Sequence, residues 1–391
     1  MTDFVTVEAK ALTKALQIVN SVTEARNTIP ILGCVKLSYS KEGLKLTGTN
    51  LDMEIALFVD EIDGAGEWEV CIVAPYLRSI AAAAGVASMR IEIGTRTVAG
   101  YQTASKSVPE RQEDFATITV GHGEAVYEIH NTLPASDWPE MQKQRGDLIE
   151  RFTNGMLAAS LDKVAWAIST EETRYYLNGV AMQRNANGRR FAATDGHRLA
   201  LCRYDSEPSN AVESRIIPRR AVAFITRHFR NSDVEIFATD DVNVVDFVAP
   251  GMTFRSRLID GTFPDIDRVV PKSQAINYAV EFKRDEIVQA IRQATAVGRV
   301  GKSDGMAIRF HGLDGLLHIE RKNVEFGTSK VRTSSEWPEE GEAIGFNSRY
   351  LAEMISRCQG TVKMGMTGSG APALLADDDE TMTRVVMPMR V

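Results

Sequence analysis

Several features that mark common classes of enzyme or secreted protein are missing from this sequence of 391 residues. The four cysteines, Cys34, Cys71, Cys202 and Cys358, form no C-x-x-C pair and have no histidine at the spacing of a metal site. This scatter argues against a zinc site and against the disulfide framework of a small secreted protein. We therefore expect four buried free thiols in a reducing compartment.

Targeting and membrane signals are missing as well. The N-terminus has no basic stretch followed by an apolar core, so no signal peptide is expected. The most alanine-rich stretch, residues 79–89, is far shorter than the roughly 20 apolar residues that a membrane helix needs. These observations predict a cytoplasmic protein without a membrane partner.

Motifs for catalysis and cofactor binding are scarce. The sequence contains no P-loop, no dinucleotide fingerprint after a strand and no H-E-x-x-H pair. An acid and a base, Asp195 and His197, lie two residues apart, but Asp and Gly at such positions commonly serve a tight turn. The acidic run Asp377–Glu380 could hold a divalent cation, although such runs are usually solvated hairpin tips. We predict a non-enzyme with no catalytic residues, metal or cofactor.

What the sequence does contain is a threefold internal repeat. Each copy begins with a short strand that leads into an amphipathic helix, starting near Phe4, Arg151 and Ala279. Each copy continues with a glycine-bearing turn between alternating strands and then with a second helix. The six predicted helices span 9–20, 74–84, 155–168, 218–230, 283–299 and 348–358. The pattern predicts an α+β fold of three tandem domains, at 1–146, 147–269 and 270–391. The first copy is longer than the second because of an insertion near 101–125.

The distribution of charge separates the helices from the rest of the chain. The whole chain carries a net charge of −7, which taken alone argues against a nucleic-acid partner. The six predicted helices nevertheless hold 14 Lys and Arg against 4 Asp and Glu, a net of +10, which leaves −17 elsewhere. Any one basic helix could simply be a solvated surface. The bias across all six favours one positive surface that contacts the phosphates of a polyanion rather than its base edges.

Eight segments together resemble the bacterial DNA polymerase III β subunit, the β sliding clamp family. They occur in order along the chain: TIPILGCVKL from Thr28, LKLTGTNLDMEI, RYYLNGV, ATDGHRLAL, IIPRRAV, LIDGTFPD, IGFNSRYL and the terminal VVMPMR. The resemblance implies three tandem DNA-clamp (processivity-fold) domains in a head-to-tail homodimeric ring, with helices lining the hole and sheets outside. It implies a non-catalytic processivity factor that encircles double-stranded DNA.

Two sets of site residues follow from the same resemblance. The residues expected to contact DNA are Arg26, Arg174, Tyr175, Tyr176, Arg219 and Arg220. A hydrophobic cleft between the second and third domains is expected to bind peptides of the polymerase III catalytic subunit, the clamp loader and other proteins with clamp-binding motifs. Its expected residues are Leu177, Thr194, Gly196, His197, Arg198, Leu199, Pro264, Val269, Asn347, Tyr350, Val385, Val386, Met387, Pro388, Met389 and Arg390.

The sequence departs from the family beside the cleft, where Gly370 and Pro372 replace the Val and Ser that the family often has. These departures leave room for altered partner preferences. One alternative is a divergent peptide-binding scaffold that does not form a closed DNA ring. Another is a hydrolase that uses Asp195 and His197. In a ring, the dimer interface is expected to use edge strands of the first and third domains, since unpaired edges must be covered.

Overall fold

A computed structural model describes most of the chain. The described ranges are 3–23, 28–98, 101–102, 107–108, 111–130, 132–141, 145–186, 188–205, 213–238, 243–296, 307–323 and 327–391. The chain divides into two compact units, one of residues 1–157 with 227–258 and the other of residues 158–226 with 259–391. None of the helices within the described ranges combines the length and apolar character that a membrane crossing requires.

All six predicted helices are confirmed; the bounds of α2 are those predicted, and the other five helices are shorter. They are α1 (Ala9–Val19), α2 (Ala74–Ala84), α3 (Met156–Ala165), α4 (Arg219–His228), α5 (Arg284–Ala294) and α6 (Ser348–Ser356). The end of the fifth predicted helix, residues 297–299, lies outside the described residues. Each helix buries one apolar stripe; in α1 the stripe contains Leu12, Leu16 and Val19, all fully buried.

The strands of the first half of the chain are short and antiparallel. They are β1 (Asp3–Glu8), β2 (Cys34–Ser40), β3 (Gly43–Thr49), β4 (Met53–Val59), β5 (Glu61–Ala65), β6 (Trp68–Val73), β7 (Ser88–Val98), β8 (Tyr101–Gln102), β9 (Ser107–Val108), β10 (Arg111–Val120), β11 (Ala125–Ile129), β12 (Thr132–Leu133) and β13 (Asp147–Phe152).

The remaining strands complete both units. They are β14 (Gly179–Asn185), β15 (Gly188–Thr194), β16 (Arg198–Asp205), β17 (Glu213–Pro218), β18 (Val234–Ala238), β19 (Val244–Ala249), β20 (Met252–Arg257), β21 (Tyr278–Lys283), β22 (Ala307–Leu313), β23 (Leu316–Asn323), β24 (Gly327–Glu336), β25 (Ile344–Asn347), β26 (Thr361–Met366), β27 (Ala373–Ala376) and β28 (Met382–Val386).

The first unit contains a nine-stranded sheet in the order β12-β6-β2-β3-β4-β20-β19-β18-β13 and a five-stranded sheet in the order β11-β10-β7-β1-β5. Helices α1 and α2 pack against each other, and α1 also packs on β3 and β4. Strands β4 and β20, distant in sequence, are hydrogen-bonded neighbours, with Met53 opposite Ser256. This pairing joins two groups of strands into one continuous sheet.

The second unit repeats this plan. Its eight-stranded sheet has the order β17-β14-β15-β16-β28-β27-β26-β21, and its four-stranded sheet has the order β24-β23-β22-β25. Helices α5 and α6 pack against each other, and α5 also packs on β23 and β24. Here the long-range pairing joins β16 to β28, with Arg198 opposite Val386. The described chain therefore has the predicted α+β character in both units.

The predicted insertion near 101–125 lies partly outside the described residues. Its described part is the far end of a long ribbon, in which β7 and β10 pair from Met89 opposite Val120 to Val98 opposite Arg111. Strand β1 pairs with β7 from Glu8 opposite Ser88 to Asp3 opposite Ile93. The insertion in the first copy stays a prediction.

The four thiols are free and buried, as predicted. Burial raises the pKa of Cys34 to about 11, that of Cys71 to about 12 and that of Cys358 to about 11, and it also raises the pKa of Cys202. Because the thiolate is the reactive form, these side chains act as small apolar core residues.

Candidate functional site

The second unit carries a cavity of about 210 Å³ beside the junction of β16 and β28. The residues that line it are Arg174, Tyr176, Leu177, Thr194, Gly196, Arg198, Leu199, Pro264, Asp265, Ile266, Val269, Val385 and Met387. The structure thus brings together many of the residues that the sequence predicted for a peptide cleft. Two of the residues predicted to contact DNA, Arg174 and Tyr176, lie in the same lining.

The floor of the cavity belongs to an apolar cluster. Its buried members are Leu177, Ala181, Ala192, Leu199, Leu201, Ile216, Phe263, Ile266 and Val385. They come from β14, β15, β16, β17 and β28, from the turn before β14 and from the chain after β20, so one face of the sheet supplies most of the floor. Alternation along the strands explains the pattern, since every second residue of a strand points to the same face.

The TDGHR segment forms the tight turn between β15 and β16. The Asp195 carboxylate Oδ1 accepts hydrogen bonds from the backbone N–H of His197 (2.9 Å) and of Arg198 (3.1 Å). Gly196 has φ +88°, a conformation that glycine adopts without strain. Asp195 thus serves the turn itself, and no observation supports a hydrolase that uses Asp195 and His197.

Arg198 is a buried cation at the edge of the cavity, and three of its N–H groups are engaged. Its Nε donates to Oδ2 of Asp195 (3.0 Å), Nη1 to Oε2 of Glu353 (2.7 Å) and Nη2 to the carbonyl oxygen of Trp166 (3.0 Å). The guanidinium carbon also lies 5.1 Å from the ring centroid of Trp166 and 4.6 Å from that of Tyr350. These contacts fix β16, α6 and the end of α3 around one charge.

The C-terminal segment after β28 forms a second wall. The N–H of Met387 donates to the carbonyl oxygen of His197 (2.8 Å), and the N–H of Met389 donates to that of Gly345 (2.8 Å). The side chains of Met387 and Met389 remain 37% and 40% exposed, which leaves two flexible apolar groups at the rim. The ring of His197 stacks on that of Tyr350, with 5.8 Å between centroids.

Seven predicted cleft residues are not part of the lining: His197, Asn347, Tyr350, Val386, Pro388, Met389 and Arg390. Asn347 is the N-cap of α6, where its Oδ1 accepts from the N–H groups of Arg349 (3.0 Å) and Tyr350 (3.3 Å). Val386 is fully buried, Pro388 is half-buried and Arg390 is exposed. Asn347 thus has a structural role in addition to any contact with a ligand.

Gly370 and Pro372 lie in the loop between β26 and β27. Neither belongs to the set of residues that line the cavity of the described chain. These departures from the family pattern therefore leave that lining itself unchanged.

The acidic run Asp377–Glu380 is only in part the expected solvated tip, because Asp378 and Glu380 are exposed but Asp377 and Asp379 form ion pairs. Oδ1 of Asp377, whose side chain is fully buried, accepts from Nη1 of Arg384 at 2.9 Å, and Lys163 lies 2.7 Å from Asp379. Burial alone would raise the pKa of Asp379, but hydrogen bonds from Lys163 and Thr381 outweigh burial and lower it. The pair of Asp379 with Lys163 therefore holds the β27–β28 turn against α3, and that of Asp377 with Arg384 ties the turn to β28. The described residues contain no group of three side chains suited to hold a metal ion.

The residues predicted to contact DNA are spread over different elements. Tyr175 is 54% exposed and meets the ring of Tyr176 edge-on at 5.9 Å. Arg174 donates to Glu171 from Nε (2.9 Å) and Nη2 (2.7 Å). Arg219 and Arg220 are exposed at the start of α4. Arg26 lies outside the described residues.

Sequence reasoning missed two residues of the lining, Asp265 and Ile266. Both directly follow Pro264, which the resemblance placed in the cleft. The signal that could have found them is an apolar residue, Ile266, within an otherwise polar turn.

Profiles of known families match this chain in three consecutive segments. The DNA polymerase III beta subunit matches with its N-terminal domain at residues 3–99, its central domain at 152–265 and its C-terminal domain at 267–390. The curated beta sliding clamp of Pseudomonas aeruginosa is 31% identical over 396 residues, and that of Caulobacter vibrioides is 31% identical over 398 residues. Each alignment covers 99% of both chains.

Solved structures agree with these sequence matches. The sliding clamp of Pseudomonas aeruginosa bound to griselimycin has a TM-score of 0.85 at 27% identity, covering 100% of both chains. The beta sliding clamp of Caulobacter crescentus has a TM-score of 0.81 at 28% identity, covering 100% of this chain and 99% of that one. The fold and the sequence therefore define a DNA sliding clamp.

This chain belongs to the DNA polymerase III beta subunit family. Its function is that of a sliding clamp in DNA replication, a non-catalytic processivity factor. The predicted α+β fold of clamp domains is confirmed, and nothing in the comparisons supports the alternative of a scaffold that forms no DNA ring.

The contacts of Arg198 generate a stability prediction. Replacing it in Arg198→Met leaves Asp195 and Glu353 without their cation, and breaking a buried pair in this way typically costs about 3 kcal/mol. We expect a decrease of that size in the unfolding free energy measured by urea denaturation. Arg268→Met is the matched control because Arg268 is 84% exposed in its pair with Asp265, and such pairs contribute about 1 kcal/mol or less. Equal losses in both variants would contradict the assigned role of Arg198.

Proposed function

We propose that the cavity beside β16 and β28 is the site at which this clamp binds short peptides of its partners. The partners are the polymerase III catalytic subunit, the clamp loader and other proteins with clamp-binding motifs. The observation that carries the proposal is the combination of a concave apolar floor with a rim of exposed methionines and polar groups. Such a pocket buries apolar anchor side chains, while its few polar groups fix the orientation of the ligand.

The predicted cleft residues divide into three roles in this proposal. Leu177, Leu199 and Val385 form the floor that receives apolar anchors, and Met387 and Met389 adapt to their shape. Arg198 acts mainly through position, because the contacts described above already hold its guanidinium. We further propose that the chain has three domains, at 1–146, 147–269 and 270–391, because the internal repeat divides the sequence in this way. We also propose that the protein is located in the cytoplasm.

The cleft proposal predicts a loss of peptide affinity on truncating the methionine wall. Met387→Ala with Pro388→Ala removes apolar contact area, and we expect about tenfold weaker binding, which corresponds to about 1.4 kcal/mol. The measurement is fluorescence anisotropy with a labelled clamp-binding peptide of the polymerase III catalytic subunit. Met156→Ala is the control, because Met156 is 41% exposed at the start of α3. Unchanged affinity in the double variant, with the dimer intact, would rule the cleft out.

We propose that the exposed basic side chains of the helices face DNA. Exposed examples are Lys10, Lys14, Arg78, Arg219, Arg220, Arg227, Arg292 and Arg349. In α4 the first turn holds Arg219 and Arg220 and no acid, although the helix dipole disfavours cations at that end. Contact with DNA phosphates would compensate for this unfavourable position of the two arginines, and such contacts do not depend on the DNA sequence.

Removing these charges should reduce the salt dependence of DNA binding. For Arg219→Gln with Arg220→Gln we expect the slope of log K against log salt to become shallower by about 2, since each phosphate contact contributes about one unit. The measurement is anisotropy of a labelled duplex over a series of salt concentrations. Arg268→Gln serves as a control for loss of one exposed charge outside the helices. A slope equal to that of the unmodified chain would exclude these two arginines as phosphate contacts.

We propose that two copies of the chain close a ring by joining β11 of one copy to β24 of the other. Each is an edge strand of its sheet, with one described partner strand. The two edges carry opposite charges: Lys330 and Arg332 are exposed on β24, and Glu128 is exposed on β11 with Glu124 just before it. Opposite charges favour this pairing, and pairing covers two edges that would otherwise invite aggregation.

Charge reversal tests the interface. Lys330→Glu with Arg332→Glu places like charges together, and we expect about 30-fold weaker dimerisation, or about 2 kcal/mol for two exposed pairs. Light scattering after size-exclusion chromatography gives the dimer fraction over a dilution series. Adding Glu124→Lys and Glu128→Lys to the same chain should restore the dimer. Lys322→Glu, on the adjacent strand β23, is the control; a dimer that tolerates the reversal, or is not restored, would point to other edges.

A further inference from the structure

Arg190 is a buried cation on β15 that forms a two-pronged ion pair with Asp267. Its Nη1 donates to Oδ1 of Asp267 and its Nη2 donates to Oδ2, both at 2.7 Å. Its Nε donates to Oε1 of Gln183 at 3.0 Å. The side chain of Arg190 is 4% exposed, whereas that of Asp267 is 42% exposed. This bidentate geometry is the strong and directional form of an ion pair, and it fixes the distance and the angle between its two partners.

The ion pair lies on the side of the sheet that faces the cavity. Residues two apart on a strand share a face, so Arg190 points the same way as Ala192 and Thr194. Ala192 belongs to the apolar floor, and Thr194 lines the cavity. Arg190 therefore continues the row of side chains on which the cavity is built.

The partner of Arg190, Asp267, lies in a segment with little regular secondary structure. Between the end of β20 at Arg257 and the start of β21 at Tyr278, the chain contains only two short turns and one isolated bridge at Ile259. Asp267 lies in the first of these turns, where the N–H groups of Val269 and Val270 donate to the carbonyl oxygen of Ile266. A turn of this length does not persist by itself, so its position depends on contacts with the rest of the protein.

That turn supplies one side of the cavity, with Pro264, Asp265, Ile266 and Val269 in the lining. We propose that Arg190 and Asp267 are positioning residues for this site: their ion pair holds the 264–269 segment over the sheet and so sets the width of the cavity. The inference rests on the proposed function of the cavity as a peptide site. It adds a pair of residues that touch no ligand but determine whether the site is formed before the peptide arrives.

Preorganisation is the physical effect at stake. A segment that is already in place loses little conformational freedom when a peptide binds, whereas a loosened segment must be ordered at that moment. The cost then appears in the affinity for the peptide rather than only in the stability of the fold. The exposed pair of Arg268 and Asp265 in the same turn offers a natural comparison, because solvent screens it and it spans only three residues.

A double-mutant cycle on the full-length chain tests the proposal. Arg190→Met, Asp267→Asn and the two combined are compared by anisotropy with the labelled polymerase peptide. We expect each single variant to bind about tenfold more weakly and the combined variant to bind no more weakly than the worse single one. Arg268→Gln should bind like the unmodified chain. Asp267→Asn keeps the size of the side chain, so it remains informative if Arg190→Met folds poorly.

Amide hydrogen exchange supplies a second readout that a general loss of stability would not produce. The amides of Val269 and Val270 should exchange faster in Asp267→Asn, while those of the sheet strands β15 and β16 keep their protection. Unchanged affinity in Asp267→Asn would overturn the proposal, as would faster exchange throughout the unit. Met387→Ala distinguishes failure of the peptide site from failure of the positioning role. If neither Met387→Ala nor Asp267→Asn changes peptide affinity, the cavity is not the peptide site. If Met387→Ala weakens binding and Asp267→Asn does not, the cavity is the peptide site but the ion pair does not position it.

Discussion

The hydrogen-bonded pairing of β16 with β28 is the constraint on which the rest of the second unit depends. It places Leu199 opposite Val385 and Arg198 opposite Val386, and so joins strands that are almost 190 residues apart in sequence into one sheet. Both strands then contribute to the same apolar floor, and the chain that leaves β28 becomes the methionine wall. A slip of one residue in this register would turn Val385 away from the floor and replace it with Val386 or Arg384. Both Val385 and Val386 are buried, so what the register must avoid above all is bringing the charged Arg384 onto the apolar floor.

Three buried ion pairs fix elements whose positions the strand pairing alone does not determine. Arg198, Arg384 and Arg190 are buried cations, and each has a carboxylate at 2.7 to 3.0 Å. An isolated buried charge would be costly, so each arginine requires its partner and limits the positions of the elements that carry it. The three ion pairs hold α6, the β27–β28 turn and the 264–269 segment respectively. The pairs of Arg198 and Arg190 involve elements that line the cavity, so under the proposed function they would form the site before a peptide enters, which lowers the ordering cost of binding.

The features that could be predicted from the sequence are those with a local cause. The six helices follow from apolar spacing, the cap at Asn347 from the preference of helix starts for short polar side chains, and the TDGHR turn from the hydrogen bonds that Asp195 makes within five residues. The pairings of Arg198 with Glu353, of Asp377 with Arg384 and of Arg190 with Asp267 could not be predicted, because nothing in a local pattern says which distant carboxylate meets which cation. For the same reason the acidic run at Asp377 looked like a solvated tip, although its first carboxylate is completely buried. Residues of the floor such as Leu177, Leu199 and Val385 were predicted from the family resemblance. Asp265 and Ile266 were not, because tertiary contacts rather than local sequence position the segment that carries them.

The internal repeat places the same hydrogen-bonded turn in the first and second copies. In the first unit Thr49 Oγ1 donates to the carbonyl oxygen of Met53 (2.9 Å), as Thr194 Oγ1 donates to that of Arg198 (2.7 Å) in the second. The N–H two residues after each threonine donates back to its hydroxyl, at 3.1 Å in Leu51 and 3.0 Å in Gly196. Both turns also lead into the strand that makes the long-range pairing, β4 with β20 and β16 with β28.

The two turns carry chemically different side chains at equivalent positions. Leu51 adopts φ +74°, a left-handed conformation that costs a leucine roughly 1–2 kcal/mol, whereas Gly196 takes the same region freely. Met53 stands where the second copy has Arg198, so the first turn carries an apolar side chain in place of a buried cation that recruits Glu353 and Trp166. The backbone that joins strands across each junction is therefore shared between these two copies. In the second unit this turn brings Gly196 and Arg198 into the lining of the cavity that we propose as the peptide site, because glycine adopts the left-handed conformation freely and the arginine finds carboxylate partners there.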